Sequence, residues 1–288
     1  MNVNLIQGLV NGVLAGGVYM TIAVGINLIY GVMHIVNYAH GEVLMIGMYI
    51  AYWLFTLAGV NPYLAIPIVA AILFVFGVLL HKSVIEPVLD LPLQRQILIF
   101  IGLIHVFQNS AMVLWSADYR SIGVPITTES ITISFIYIPI GKLLVLIIAL
   151  ASALALYYFL KKTKLGKFIV ATSQDPDAAS ALGIDIRRIR TLTFALSLAL
   201  TGIAACTLSP IYFIFPYTGT DFNIFAFIII TLGGLGSYTG AIIGSIIVGM
   251  IESLVSLLSD ASIATAVAFL VFILILLFRP SGIMGKRE

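Results

Sequence analysis

The chain has 288 residues, of which 61% are hydrophobic and only 9% charged, with a mean hydropathy of +1.16. Fourteen Lys and Arg with twelve Asp and Glu, net charge +2, are too few to clothe a water-soluble globule of this size. That excludes a cytosolic enzyme, a nucleic-acid binder and a disordered chain, and leaves lipid as the solvent for most of the sequence. A single cysteine, Cys206, excludes an internal disulfide framework and a cysteine-rich metal site.

The start, Met1-Asn2-Val3-Asn4-Leu5-Ile6-Gln7, has no basic residue ahead of the first apolar run, so it is expected to stay rather than be cleaved as a signal peptide. Crossing hydrocarbon takes about 20 mostly apolar helical residues. In chain order the windows that qualify are Gly8–Tyr30, His34–Ala58, Tyr63–His81, Ile97–Trp115, Leu143–Leu160, Thr191–Ser209 and Ile263–Phe278. Phe222–Leu235 and Ala241–Leu258 flank the glycine-rich string Gly233–Gly240, and the first of them reads as a short span or a half-helix that re-enters. The expected fold is an all-α polytopic membrane protein, a bundle of about eight or nine transmembrane helices with broken or re-entrant segments. It forms one domain over 1–288.

The first span carries Gly8, Gly12 and Gly16 at four-residue spacing. The segment after the glycine string carries Gly236, Gly240 and Gly244 beside Ala241, Ser245, Gly249 and Ser253. Such small-residue ladders bring helix backbones together, either to hold the bundle or to join subunits.

Within the second window, Met33–Glu42 forms a polar string. A carboxylate inside the bilayer is costly and normally faces protein or a water-filled cavity. On one helix Tyr38 and Glu42 would share a face, as would Asn37 and Gly41. Gly31 and Gly41 would let the backbone break and line a passage. The alternative places Asn37, His40 and Glu42 at headgroup level with no role in transport. Glu252, in the eighth segment, poses the same choice.

Between the fourth and fifth spans, residues 116–142 form the longest loop on the outer side. It contains the β-branched and aromatic run Ser130–Ile138 between Pro125 and Pro139, which predicts a small hairpin. Lys and Arg fix the sidedness: twelve of the fourteen fall on one side when the spans alternate, leaving only Arg120 and Lys142 opposite. The N-terminus is then outside and the C-terminus cytoplasmic.

The cytoplasmic loop 161–190 contains a strong local signal. Asp175 suits an N-cap, Pro176 the first helical position, Asp177 the first turn, and Gly183 the stop. So short a helix is marginal alone in water. The small surface of Ala178, Ala179, Ser180 and Ala181 suits close docking of a cytoplasmic protein, or else packing on its own bundle. Catalytic and metal-binding patterns do not emerge: His40-Gly41-Glu42 lacks the paired histidines of a zinc protease, and Gly233–Gly240 has no P-loop lysine. The expectation is no enzyme, no catalytic residue, no metal and no cofactor, with any ATP bound by another polypeptide.

Asp177-Ala178-Ala179, three residues, then Gly183 resembles the "EAA…G" loop of ABC-importer permeases, with Asp in place of Glu and without the Leu-Pro pair that usually follows. Taken in order, Val36–Glu42, this loop, Gly233-Gly234-Leu235-Gly236-Ser237 through Gly240-Ala241, and Phe278-Arg279-Pro280-Ser281-Gly282 resemble the branched-chain amino acid (leucine/isoleucine/valine) ABC transporter permease family. The length suits its shorter permease subunit.

The resemblance implies a multi-pass subunit of a prokaryotic cytoplasmic (inner) membrane. Its implied partners are a second related permease, two cytoplasmic ATP-binding subunits and an extracytoplasmic substrate-binding protein. It further implies ATPase coupling through Asp175, Asp177, Ala178, Ala179 and Gly183. The translocation route or its hinges would fall at Asn37, Tyr38, His40, Gly41, Glu42, Gly233, Gly234, Gly236 and Glu252. Alternatives are the same architecture importing urea, short amides or other amino acids, and an ion-coupled secondary transporter using Glu42 or Glu252.

Overall fold

The computed structural model describes residues 3–279 and 281–285; Met1, Asn2 and Pro280, quoted above, and two of the fourteen basic residues, Lys286 and Arg287, lie outside the described residues. The chain is helical nearly throughout. Helix α1 spans Val3–Met33, α2 His40–Ala58, α3 Pro62–Leu80, α4 Leu93–Trp115 and α5 Pro125–Thr128. Strands β1 (Ser130–Ile133) and β2 (Ile136–Pro139) follow. Next come α6 Ile140–Lys162, α7 Lys164–Gln174, α8 Pro176–Ala181, α9 Ile186–Leu208, α10 Thr218–Gly233, α11 Tyr238–Ser256 and α12 Ala261–Phe278. Among the described residues, 7 helices are long and apolar enough to cross a membrane, and the shorter apolar stretches Thr218–Gly233 and Ile263–Phe278 accompany them. The chain is an all-α polytopic membrane protein.

Local sequence sets the helix ends. The Asn61 side chain accepts the Tyr63 amide at 3.0 Å to start α3 behind Pro62, Asp185 accepts from the Arg188 amide at 3.0 Å to start α9, and Ser237 Oγ accepts from Gly240 at 3.1 Å to start α11. The predicted hairpin is present: β1 and β2 pair antiparallel, Ser130 opposite Pro139. Its Tyr137 peptide exchanges two hydrogen bonds with the Gln7 side chain, each 2.8 Å, which fixes the hairpin to the first turns of α1.

Both glycine ladders find their partners within the chain. Gly12 and Gly16 lie against Met250, Ile246 and Ser245, while Gly249 lies against Gly12 and Gly16, so α1 and α11 pack backbone to backbone. Ser253 Oγ closes the seam by donating to the Gly8 carbonyl at 2.8 Å. Gly240 and Gly244 face α10 instead, at Gly233 and Ile229. The bundle-holding alternative is the observed one.

These contacts sort the ends of the bundle. One end holds the hairpin, Gln7, and an antiparallel bridge in which Arg120 and Ile214 exchange backbone bonds of 2.9 and 2.8 Å. The other end holds the last turn of α1, α7, the glycine string and Ser281–Gly285, which together line a polar cavity of 720 Å³. There the Ile283 and Met284 amides donate to the carbonyls of Leu232 and Gly233 at 2.8 and 3.0 Å, satisfying the last turn of α10. Thus α10 ends at, and α11 leaves from, the end opposite the hairpin. Neither segment turns back to the side it came from, in contrast to the re-entrant option.

Candidate functional site

The second window was expected to be helical from His34, with the break at Gly31 or Gly41. The structure moves the break. Helix α1 runs through Gly31 and ends at Met33; His34 takes a left-handed conformation (φ 54) and α2 does not begin until His40. Asn37 and Tyr38 therefore precede the helix and do not share a face with Gly41 and Glu42. The Asn37 side chain accepts the Ala39 amide at 3.1 Å and its carbonyl accepts the His40 amide at 3.2 Å, a local turn that competes with continued helix.

This start of α2 lies inside the bundle. His40 Nε2 meets Thr201 Oγ1 at 2.9 Å, and Thr201 stands roughly 22 Å along α9 at 1.5 Å per residue. The Thr201 hydroxyl also reaches the Ser197 carbonyl, at 3.0 Å. Ser197 Oγ in turn donates to the Gly25 carbonyl at 2.6 Å, tying α2, α9 and α1 together.

The first turn of α10 meets the first turn of α2 at this depth. A Cβ on Gly41 would collide with the Gly219 carbonyl, and one on Gly219 with the Gly41 carbonyl, so only glycine pairs fit here. The Gly41 amide donates to Asn223 Oδ1 at 3.2 Å, while Asn223 Nδ2 donates to the Tyr38 carbonyl. Glu42 is 1% exposed. Its Oε1 accepts from Gln108 Nε2 at 3.0 Å and from Thr220 Oγ1 at 3.1 Å. Two helix N-termini, each a region of partial positive charge, thus converge on one buried carboxylate. Asn37, His40 and Glu42 are enclosed by protein.

At the glycine string, Gly234 (φ 105) and Gly236 (φ 77) turn the chain between α10 and α11. The Gly236 amide donates to Asn27 Oδ1 at 2.8 Å, so the string is held to α1 beside Gly31. Glu252 is half-buried on α11 and accepts from the Tyr19 hydroxyl, whose ring stacks on Phe225 at 4.6 Å. The three sets — the α2 start, the glycine string and Glu252 — all abut α1.

Comparison with known proteins places this architecture. The sequence profile of the branched-chain amino acid transport system permease component matches residues 8–277. The chain belongs to this permease family. It is similar to the high-affinity branched-chain amino acid transport system permease protein BraD of Pseudomonas aeruginosa, 31% identical over 98% of this chain and 96% of the relative. It is 30% identical to LivH of Escherichia coli strain K12, with 98% and 96% covered. It is 26% identical to the probable branched-chain amino acid transport permease protein LivH of Methanocaldococcus jannaschii, with 92% and 87% covered. No solved structure matches the chain. The protein is a transport permease of the membrane, not an enzyme.

The permease's loop helix takes the expected form. Asp175 Oδ1 accepts the Ala178 amide at 2.9 Å, Pro176 opens α8, Asp177 occupies the first turn, and Gly183 (φ 83) ends it. The sequence treated Ala178 through Ala181 as one small surface. The structure divides them: Ala179 is 2% exposed and faces its own chain, whereas Ala178, Ser180, Ala181 and Leu182 are outward. Behind α8, an Arg187–Glu86 ion pair joins the start of α9 to the turn after α3. The amphipathic helix α7, which the sequence reading merged into the loop, packs on α1, α6 and α9.

The sequence reading missed Gln108, Thr220, Asn223, Thr201, Asn27, Tyr19 and Gly219. Several carried a signal: Gln108 and Asn27 are amides within apolar helices, and Thr220-Asp221-Phe222-Asn223 is a polar string opening an apolar run.

Proposed function

We propose that this chain is a membrane-spanning half of an ATP-driven importer that passes branched-chain amino acids. The observation that carries the reading is the convergence of α2 and α10, two helices that start inside the bundle and meet at Gly41 and Gly219 around buried polar groups. Interrupted helices of this kind supply polar backbone at membrane depth where a route must pass, and they give the bundle hinges. The relatives, high-affinity branched-chain amino acid permeases, supply the cargo.

In this reading the end bearing α7, α8 and the glycine string faces the cytoplasm, as the clustering of Lys161–Arg190 there supports. The hairpin and the N-terminus then face outward in a prokaryotic inner membrane. The outward residues of α8, with Asp175, Asp177 and Gly183 shaping it, dock on one of two ATP-binding subunits. A second related permease completes the route, and an extracytoplasmic binding protein delivers cargo at the hairpin side. Asn37–Glu42, Gly233–Gly236 and Glu252 line or hinge that route. ATP is bound by the partners, and this chain itself holds no cofactor.

Reconstitution tests the reading. Vesicles carrying the permease pair, the ATP-binding subunits and the loaded binding protein are expected to accumulate leucine on addition of ATP. Uphill accumulation by this chain alone, or uptake that follows a proton gradient without ATP, would overturn it.

A further inference from the structure

Glu42 presents an energetic question that its surroundings do not answer. A carboxylate enclosed in a membrane bundle is costly unless its charge is met. Here Oε1 takes both available hydrogen bonds, from Gln108 and Thr220. Oε2 is buried with no hydrogen-bond partner. Among the described residues no Lys, Arg or His lies within ion-pair distance of Glu42, and the ion pair that does form, Arg187–Glu86, is elsewhere. A glutamine would accept from the same two donors through its amide oxygen at no charge cost. Holding α4 and α10 to α2 therefore does not require the charge. A second unspent group sits on the same break: Asn37 Nδ2, a donor, is buried without a partner.

We infer that Glu42 is the group that meets the α-ammonium of the amino acid in transit, through Oε2. The inference rests on the importer reading above and deepens it. An amino acid crosses as a zwitterion, so the interior must answer a compact cation as well as an apolar side chain. The free carboxylate oxygen answers the first, with a charge-assisted contact in a low-dielectric setting.

The test uses the complete transporter in vesicles, with leucine as cargo, comparing wild type, Glu42→Gln and Glu42→Asp. Leucine uptake, ATP hydrolysis stimulated by loaded binding protein, and the half-saturating concentration of that protein are measured together. Glu42→Gln is expected to lower uptake about tenfold, the order set by replacing a charge-assisted contact with a neutral one. Because the amide oxygen keeps both hydrogen bonds, the melting temperature is expected to stay close to wild type, and Glu42→Asp is expected to recover part of the uptake. Uptake by Glu42→Gln equal to wild type would overturn the proposal, because the amide accepts the same two hydrogen bonds but offers no negative charge to an ammonium. A parallel fall of uptake, ATP hydrolysis and melting temperature, unrelieved by Asp, would assign Glu42 a purely structural role. If wild type itself fails to take up leucine with ATP, the importer reading falls first and this proposal with it.

Discussion

Gly41 and Gly219 touch through their backbones, each occupying the space where the other's side chain would begin. That contact brings the first turns of α2 and α10 close enough for Thr220 to reach Glu42 and for Asn223 to reach the Gly41 amide. The polar cluster is a consequence of two missing Cβ atoms on segments far apart in the chain.

Gly219→Ala and Gly41→Ala should each push the two first turns apart. Overpacking of this kind costs about 1–3 kcal/mol, read as a lowered melting temperature of the purified protein in detergent. Gly102→Ala is the control: nothing lies within 4 Å of its Cβ position on α4, so it should be neutral or slightly stabilising. Equal melting of Gly219→Ala and wild type would refute the close contact.

Gln108→Leu removes a donor from both Glu42 and Thr220. Leaving a buried acceptor without its partner costs about 1–3 kcal/mol, more when the acceptor is charged. The expected result is reduced thermal stability that is largely restored in the double variant Gln108→Leu with Glu42→Gln, since the uncompensated charge is then gone. Additive losses would show that the two residues are not coupled.

The α1–α11 seam lies inside one chain, so enlarging it should harm the subunit rather than its assembly. Gly249→Leu would press into Gly12 and Gly16 and is expected to abolish the folded monomer peak on size exclusion. Ser253→Ala loses only the bond to the Gly8 carbonyl and should cost about 0.5–1.5 kcal/mol.

Just past α8, Leu182 is 82% exposed, and on the helix Ala178 is outward. Leu182→Glu and Ala178→Arg should leave the melting temperature within the range of ordinary surface changes, about ±0.5 kcal/mol. Both should nevertheless prevent co-purification of the ATP-binding subunits. Gly183→Pro differs: its φ of 83 is closed to proline and its amide donates to the Ser180 carbonyl at 2.9 Å, so the turn itself should unravel. Retained co-purification with Leu182→Glu would remove α8 from the interface.

Sidedness is accessible by labelling. On a Cys206→Ala background, Glu129→Cys beside the hairpin and Ser180→Cys on α8 are expected to react with an impermeant maleimide from opposite faces, Glu129→Cys from outside intact cells. Labelling of both from the same face would contradict the proposed orientation.

What the sequence determined by itself was local. Apolar runs gave the spans because the hydrocarbon thickness sets a helix length. Asp175, Pro176 and Gly183 specified α8 because caps and stops act over a few residues, and the Ser130–Ile138 run specified the hairpin for the same reason. Tertiary structure decided the site. Lipid is as apolar as leucine, so hydrophobic patterning does not reveal which face of a span meets which neighbour. Glycine is equally ambiguous: Gly41 looked like a place to bend, but its value lies in what approaches it, while the bend fell at His34. Gln108, Thr220 and Asn223 join the α2 start from 66 to 185 residues away. No local rule links such positions; only the packing of α4 and α10 against α2 makes them neighbours.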